Sequence, residues 1–193
     1  MADEQELNIQ ELTDQDQELS QEKAEEVQEL NNEDILQFEN AIKVRHDINS
    51  LYTGYVYDMK ENSAKTRFHT TRDMAYDSDG LVFNSFLHTA ANYAAQVAIN
   101  SEFIITIGSR VSFLAPAKVG DTISFEASAF FNESKKREVK VTGFINDIRV
   151  FEGSFQLIIL EEHIFKIQKK QMEKQAKDSR DQRAAEAKAK GNA

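Results

Sequence analysis

Asp77, Asp79 and Gly80 stand directly before a run, Asn84 to Ile99, that contains no glycine, no proline and no charged residue. A carboxylate in such a place can act as a general base or as a nucleophile. The run has no carboxylate of its own. Its polar groups include Asn84, Ser85, His88 and Asn92. An amide cannot take a proton near neutral pH, but its paired donor and acceptor suit holding a carbonyl. The segment therefore offers two chemistries: reaction through Asp79, or binding through Asn92 and its neighbours. Each residue also has a plain structural use. Asp79 and Gly80 suit a turn that caps a helix. His88 suits a core or interface imidazole with a satisfied hydrogen bond. Tyr93 suits a packing aromatic with its hydroxyl at an interface.

These residues need a scaffold. Phe86, Leu87, Ala90, Ala91, Ala94, Val97 and Ala98 cover more than half the circumference of a helix, which predicts a buried rod. Alanine lets a sheet wrap closely around it. Before the rod, residues 33–48 repeat apolar side chains at helical spacing and predict a lead-in helix. Residues 52–60 are aromatic and β-branched, and 64–74 alternate, with Phe68 and Met74 on one face. The two predict a hairpin turning at Glu61-Asn62-Ser63. After the rod come strands over 103–114, 121–131, 138–145 and 148–160, the last two joined at Asn146-Asp147. Residues 132–137 read as a polar loop. Short links make the sheet antiparallel. The predicted class is α+β, one antiparallel sheet around one long central helix. Its long open edge predicts an edge-to-edge homodimer.

Charge is unevenly distributed. The chain carries −10, yet residues 1–40 hold 14 acidic residues against one lysine, and residues 166–193 hold nine basic against four acidic. We expect residues 1–32 to be an acidic disordered tail, 33–165 the folded domain, and 166–193 a basic helical or disordered tail. Both tails are expected to be available to a protein partner. The acidic start argues against nucleic-acid binding. No apolar run reaches the roughly 20 residues needed to span a bilayer, and the N-terminus lacks a signal-peptide pattern, so a cytoplasmic protein is expected. The chain has no cysteine, and its four histidines show no ligand spacing, so no metal is expected.

The element order resembles the hotdog fold. The passage around Phe113, Pro116, Gly120 and Asp121 is very similar to the F-x-x-P-x-x-x-G-D of acyl-CoA thioesterases and their relatives. The resemblance covers about residues 50–160. Through Ala91-Asn92 the chain looks most similar to the acyl-CoA-sensing effector domain of the bacterial lipid-synthesis repressor. It also resembles a flagellar-regulon hotdog group of epsilonproteobacteria. The helix-turn-helix of the repressor has no counterpart here, so DNA binding is not implied. The resemblance implies a coenzyme A thioester as ligand rather than a cofactor, held at a dimer interface. Two family arrangements of the catalytic carboxylate can be laid on this chain. In the first it lies on the central helix, where Asn92 stands; the usual histidine and two glycines at the helix start fall at Phe83, Asn84 and Ser85. In the second it precedes the helix in D-x-D-x-x-G-x-V, which makes Asp79 the candidate base with shortened spacing. For the ligand's phosphates, Arg110, Lys118 and Lys135-Lys136-Arg137 are candidates; the last three also read as a solvated loop. The resulting expectation is a non-catalytic acyl-CoA binder with a regulatory role. The alternative is a thioesterase using Asp79.

Overall fold

The structure is a computed structural model that describes residues 38, 41–44, 48–130 and 134–191. The acidic segment 1–32 and most of the expected 33–48 helix lie outside the described residues. Residues 42–44 are not helical, and Phe38 and Ile42 pack against the core. Phe38 is helical, its carbonyl accepting from Ala41 N–H at 2.9 Å and Ile42 N–H at 3.1 Å, and a single helical turn, α1 (Ser50–Thr53), follows. The Asn49 side chain accepts from Leu51 N–H at 2.9 Å, and Gly54 at φ 75° ends the turn. A Cβ at Gly54 would lie 2.3 Å from the Arg67 carbonyl oxygen, so only glycine fits there.

That turn takes Tyr52 and Thr53 out of the first expected strand, and β1 runs Tyr55–Lys60. β2 runs Ser63–His69. It stops short of Met74, because Thr70 leaves the sheet. Its hydroxyl donates to the carbonyls of Lys118 (2.8 Å) and Asp121 (3.0 Å). Met74 is still fully buried, from a 3₁₀ turn over Arg72–Met74. The rod forms as expected: α2 spans Asn84–Ile99. Then come β3 (Ile104–Phe113), β4 (Thr122–Phe130), β5 (Lys136–Ile145) and β6 (Ile148–Ile159). Lys136 and Arg137 belong to β5 rather than to a loop, since Lys136 and Arg137 pair with Ile158 and Leu157. Asn146 turns the last hairpin at φ 52°. A final helix, α3, spans Ile164–Gly191.

The six strands form one antiparallel sheet in the order β1-β2-β4-β5-β6-β3. Strands joined by hairpins sit side by side, whereas α2 carries the chain from β2 across to the far edge. β1 and the ten-residue β3 are therefore the edges. In β4 the alternation holds: Ile123, Phe125 and Ala127 are buried, while Glu126 and Ser128 are exposed. These residues, with Phe68, Val139, Val141, Phe151, Phe155 and Leu157, close over the alanine side of α2. Ala90, Ala91, Ala94 and Ala95 are fully buried. At the end of α2, Asn100 adopts a left-handed φ of 52°, accepts from Lys43 N–H at 2.7 Å and donates to the Ala41 carbonyl at 2.8 Å. This asparagine ties the entering chain to the rod.

Tyr93 is 7% exposed, and burial pushes its hydroxyl up to about 12. The unfolded chain then releases this proton first as pH rises. Stability should be unaffected below about pH 10 and should fall between pH 10 and 12, by roughly 2–3 kcal/mol. Urea unfolding of the native chain and Tyr93→Phe checks this: the difference between them should be constant below about pH 10 and should shift against the native chain between pH 10 and 12.

Candidate functional site

α2 begins without the usual protection. Its N-cap residue is Phe83, whose side chain accepts no hydrogen bond, and the first turn carries no acidic residue. Backbone N–H groups at a helix start are short of partners and carry partial positive charge. The segment that delivers them is held on two sides. Asp77 Oδ1 accepts from Leu81 N–H at 3.0 Å, and the Val82 N–H donates to the Ala117 carbonyl at 2.9 Å. Leu81 bridges Lys118, and Val119 N–H donates to the Gly80 carbonyl at 2.9 Å. Asp121 Oδ2 in turn accepts from Lys118 N–H at 2.7 Å. Gly120, at φ 94°, makes that turn possible. The Gly-Asp pair of the sequence passage thus builds the wall beside the helix start.

Between these walls lies a cleft of about 430 Å³, lined by Tyr76, Leu81, Phe83, Asn84 and the 113–116 segment that includes Pro116. Tyr76 and Phe83 stack with ring centroids 5.8 Å apart. Tyr76, Leu81, Phe83, Phe113 and Leu114 are all exposed. So much exposed aromatic and aliphatic surface beside free N–H groups suits a ligand with a polar carbonyl and an apolar body.

Further along, the face of α2 toward β3 is polar. His88 Nε2 and Ser109 Oγ share a hydrogen bond of 2.9 Å, and the imidazole lies 5.5 Å from the Phe155 ring. Asn92 Oδ1 accepts from Thr106 Oγ1 at 2.6 Å, and Gln96 Nε2 donates to the same hydroxyl at 3.3 Å. These groups are half-buried except the exposed Ser109, and none carries an acid. Gln96, Thr106, Ser109 and Tyr76, the ring stacked on Phe83, were not anticipated from sequence. The signal for Gln96 was present: Asn84, His88, Asn92 and Gln96 recur every four residues, the spacing of one helical face.

The other candidates fall as follows. Phe83 and Asn84 line the cleft. Ser85 is exposed in the first turn, and its carbonyl accepts from the Thr89 hydroxyl at 2.9 Å. Asp79 is exposed at the tip of its turn and makes no hydrogen bond or ion pair with a described residue. It does not cap α2, because Phe83 occupies that position. Arg110 is exposed on β3, and Lys118 is exposed beside the cleft wall. Lys135 is engaged with Glu161 at 2.6 Å. Among the described residues no group of three acidic or histidine side chains is placed to hold a metal, and no helix is long and apolar enough to cross a membrane.

No family model matches the chain. Among curated proteins it is 34% identical over 119 residues to the methylthioribose-1-phosphate isomerase of Aquifex aeolicus, covering 62% of this chain and 26% of that protein. It is 26% identical over 97 residues to the transcription factor FapR of Shouchella clausii, covering 50% of this chain and 51% of that protein. The chain therefore spans about a quarter and about half of these two relatives. Among solved structures, smu.793 of Streptococcus mutans bound to acetyl-CoA shares the fold, at 13% identity and a TM-score of 0.55 over 62% of this chain and 98% of that one. The match to Cj0977, a sigma28-regulated virulence protein of Campylobacter jejuni, is fuller: 42% identity and a TM-score of 0.67, over 69% of this chain and 94% of that one. The chain belongs to the family of the Campylobacter protein and has the hotdog fold.

Proposed function

We propose that the protein binds a coenzyme A thioester without hydrolysing it, and that this binding serves a regulatory role in a homodimer. The observation that carries the reading is the start of α2: an uncapped helix terminus without an acid in its first turn, facing an apolar cleft. A thioester carbonyl gains most at free helix N–H groups, and the apolar wall receives the acyl or pantetheine part. The neutral side chains of Asn92 and His88 continue the polar track along β3. Lys118 and Arg110 are exposed cations for the phosphates. The acetyl-CoA held by a protein of the same fold supports the ligand class. FapR is named a transcription factor, and Cj0977 is described as a virulence protein under sigma28 control; both support a regulatory setting. The exposed β3 edge supports a second copy beside the cleft.

One experiment tests the reading. Full-length protein is titrated with a panel of coenzyme A esters while thermal stability and thiol release are followed on the same sample. Ligand at 100 times its dissociation constant should add about 2.7 kcal/mol, with no thiol released. Release that disappears in Asp79→Asn would make the protein a thioesterase using Asp79. Absence of any stabilisation would remove the ligand altogether.

A further inference from the structure

The far end of α2 opens on a second cleft. It holds about 600 Å³ and includes residues 98–100, whereas the first cleft meets α2 at Asn84. Along the helix, at about 1.5 Å per residue, the two lie roughly 23 Å apart. Four other pieces of chain close around the second cleft. They are the segment at Lys43, the β1–β2 turn at residues 60–62, Arg137 near the start of β5, and Ile159 at the end of β6.

Its charge runs against that of the chain. Lys43, Lys60 and Arg137 line it with the single acid Glu61, a net of two positive charges on a chain of −10. Neither lysine side chain has a hydrogen-bond or ion-pair partner among the described residues. By contrast, Lys65 and Lys135 are held by Glu126 and Glu161. Arg137 is placed in a way its type does not favour. It stands two residues before Val139 and four before Val141, both fully buried. Alternation along β5 therefore turns it to the side of the sheet that covers α2. It is half-buried, with its Nε closed off from solvent. A permanently charged, planar fork thus sits where the strand otherwise carries valine.

The helix end accounts for only part of this. The last carbonyls of α2 carry about half a negative charge, which attracts cations. Half a charge does not balance two. The remainder faces a space whose apolar surface comes from Met59, Ile99 and Ile159. Arginine forks onto carboxylates and phosphates, and the volume is that of a small-molecule site.

We propose that this cleft binds a small amphipathic anion, a carboxylate or phosphate group on a short apolar body. Arg137 and Lys60 hold the oxyanion, and Lys43 closes on it from the entering chain. The site is separate from the cleft at the start of α2 and does not depend on what binds there.

The test titrates full-length protein at low salt with octanoate and with hexyl phosphate, followed by calorimetry. The titrations are repeated with Lys60→Gln, Arg137→Gln, Lys177→Gln and Phe83→Asp. At least one probe should saturate a single site per chain, and the tighter of the two identifies the head group. Lys60→Gln and Arg137→Gln should each weaken binding roughly tenfold. Lys60 is exposed at the end of an edge strand, so its variant reads the site even where Arg137→Gln unfolds. Lys177→Gln removes a charge on α3 and should leave the affinity unchanged, as should Phe83→Asp at the first cleft. No saturable binding of either probe would overturn the proposal. So would equal weakening by Lys177→Gln and Lys60→Gln, which would reduce the effect to general attraction between charges. Binding lost in Phe83→Asp but intact in Lys60→Gln would also overturn it, since the anion would then sit at the start of α2.

Discussion

Replacing Phe125 with alanine is expected to cost about 3–5 kcal/mol of unfolding free energy, measured by urea denaturation. Phe125 is fully buried on the sheet surface that covers α2, and its ring meets Phe151 edge-on at 5.6 Å. Few domains have more than about 5–15 kcal/mol in total, so this single truncation should approach the limit of folding. The site is close-packed as well as apolar. A Cβ at Gly143, across the β4–β5 ladder, would stand 2.7 Å from the Phe125 ring and 3.0 Å from the Phe151 Cβ. Gly143→Ala in the native background should therefore cost about 1–3 kcal/mol by overpacking. In the Phe125→Ala background the first clash is gone, and the same change should cost less. The remaining contact with Phe151 keeps the second cost above zero. Additive costs would mean that the ring moves aside freely, and that the sheet does not grip the rod as described.

Phe83→Asp is expected to weaken binding of a coenzyme A ester by roughly 100-fold, about 2.7 kcal/mol, while leaving folding intact or improved. Phe83 already has the extended backbone of an N-cap, φ −70° and ψ 122°, but supplies no side-chain acceptor. An aspartate there would accept from the helix N–H groups and meet the positive end of the dipole, a gain of about 0.5–2 kcal/mol in stability. The N–H groups that the ligand needs would then be occupied, and a negative charge would face an anionic ligand. Phe83→Ala separates the two effects, since it removes the stack with Tyr76 without adding charge. It should lower affinity less than the aspartate. Unchanged titration of Phe83→Asp would mean that the ligand does not use this end of the helix.

How far the fold could be read from sequence depended on the kind of signal. The run Asn84–Ile99 carries its own boundaries, because an apolar face of helical period ends where Asn100 takes a left-handed φ. The strands of the last hairpin announced themselves through alternation and a short polar turn. The first strand was harder. Tyr52 and Thr53 have strand propensity, but an Asn49 cap and Gly54 impose a local helical turn that propensity does not encode. Met74 kept the burial expected of it while losing its strand, because the departure of Thr70 is decided by carbonyls 48 and 51 residues away. The candidate site was legible where it is local. Phe83 and Asn84 were named by laying the family pattern on the helix start, and the cleft contains both. Thr106 and Ser109 were not, since β3 meets α2 only after the chain has crossed the sheet. Asp79 looked reactive from its neighbours in sequence, yet the turn leaves it exposed at the tip, outside the residues that line the cleft.

The central claim is a thioester held by helix N–H groups with no acid beside it. A crystal structure of the full-length protein with a non-hydrolysable acyl-coenzyme A analogue tests it most directly. The analogue's carbonyl oxygen should lie within about 3 Å of backbone N–H groups in the first turn of α2, with Tyr76, Phe83 and Phe113 around the adjoining chain. A carboxylate of Asp77 or Asp79, from either copy, within hydrogen-bonding reach of the carbonyl carbon's attacking water would contradict it.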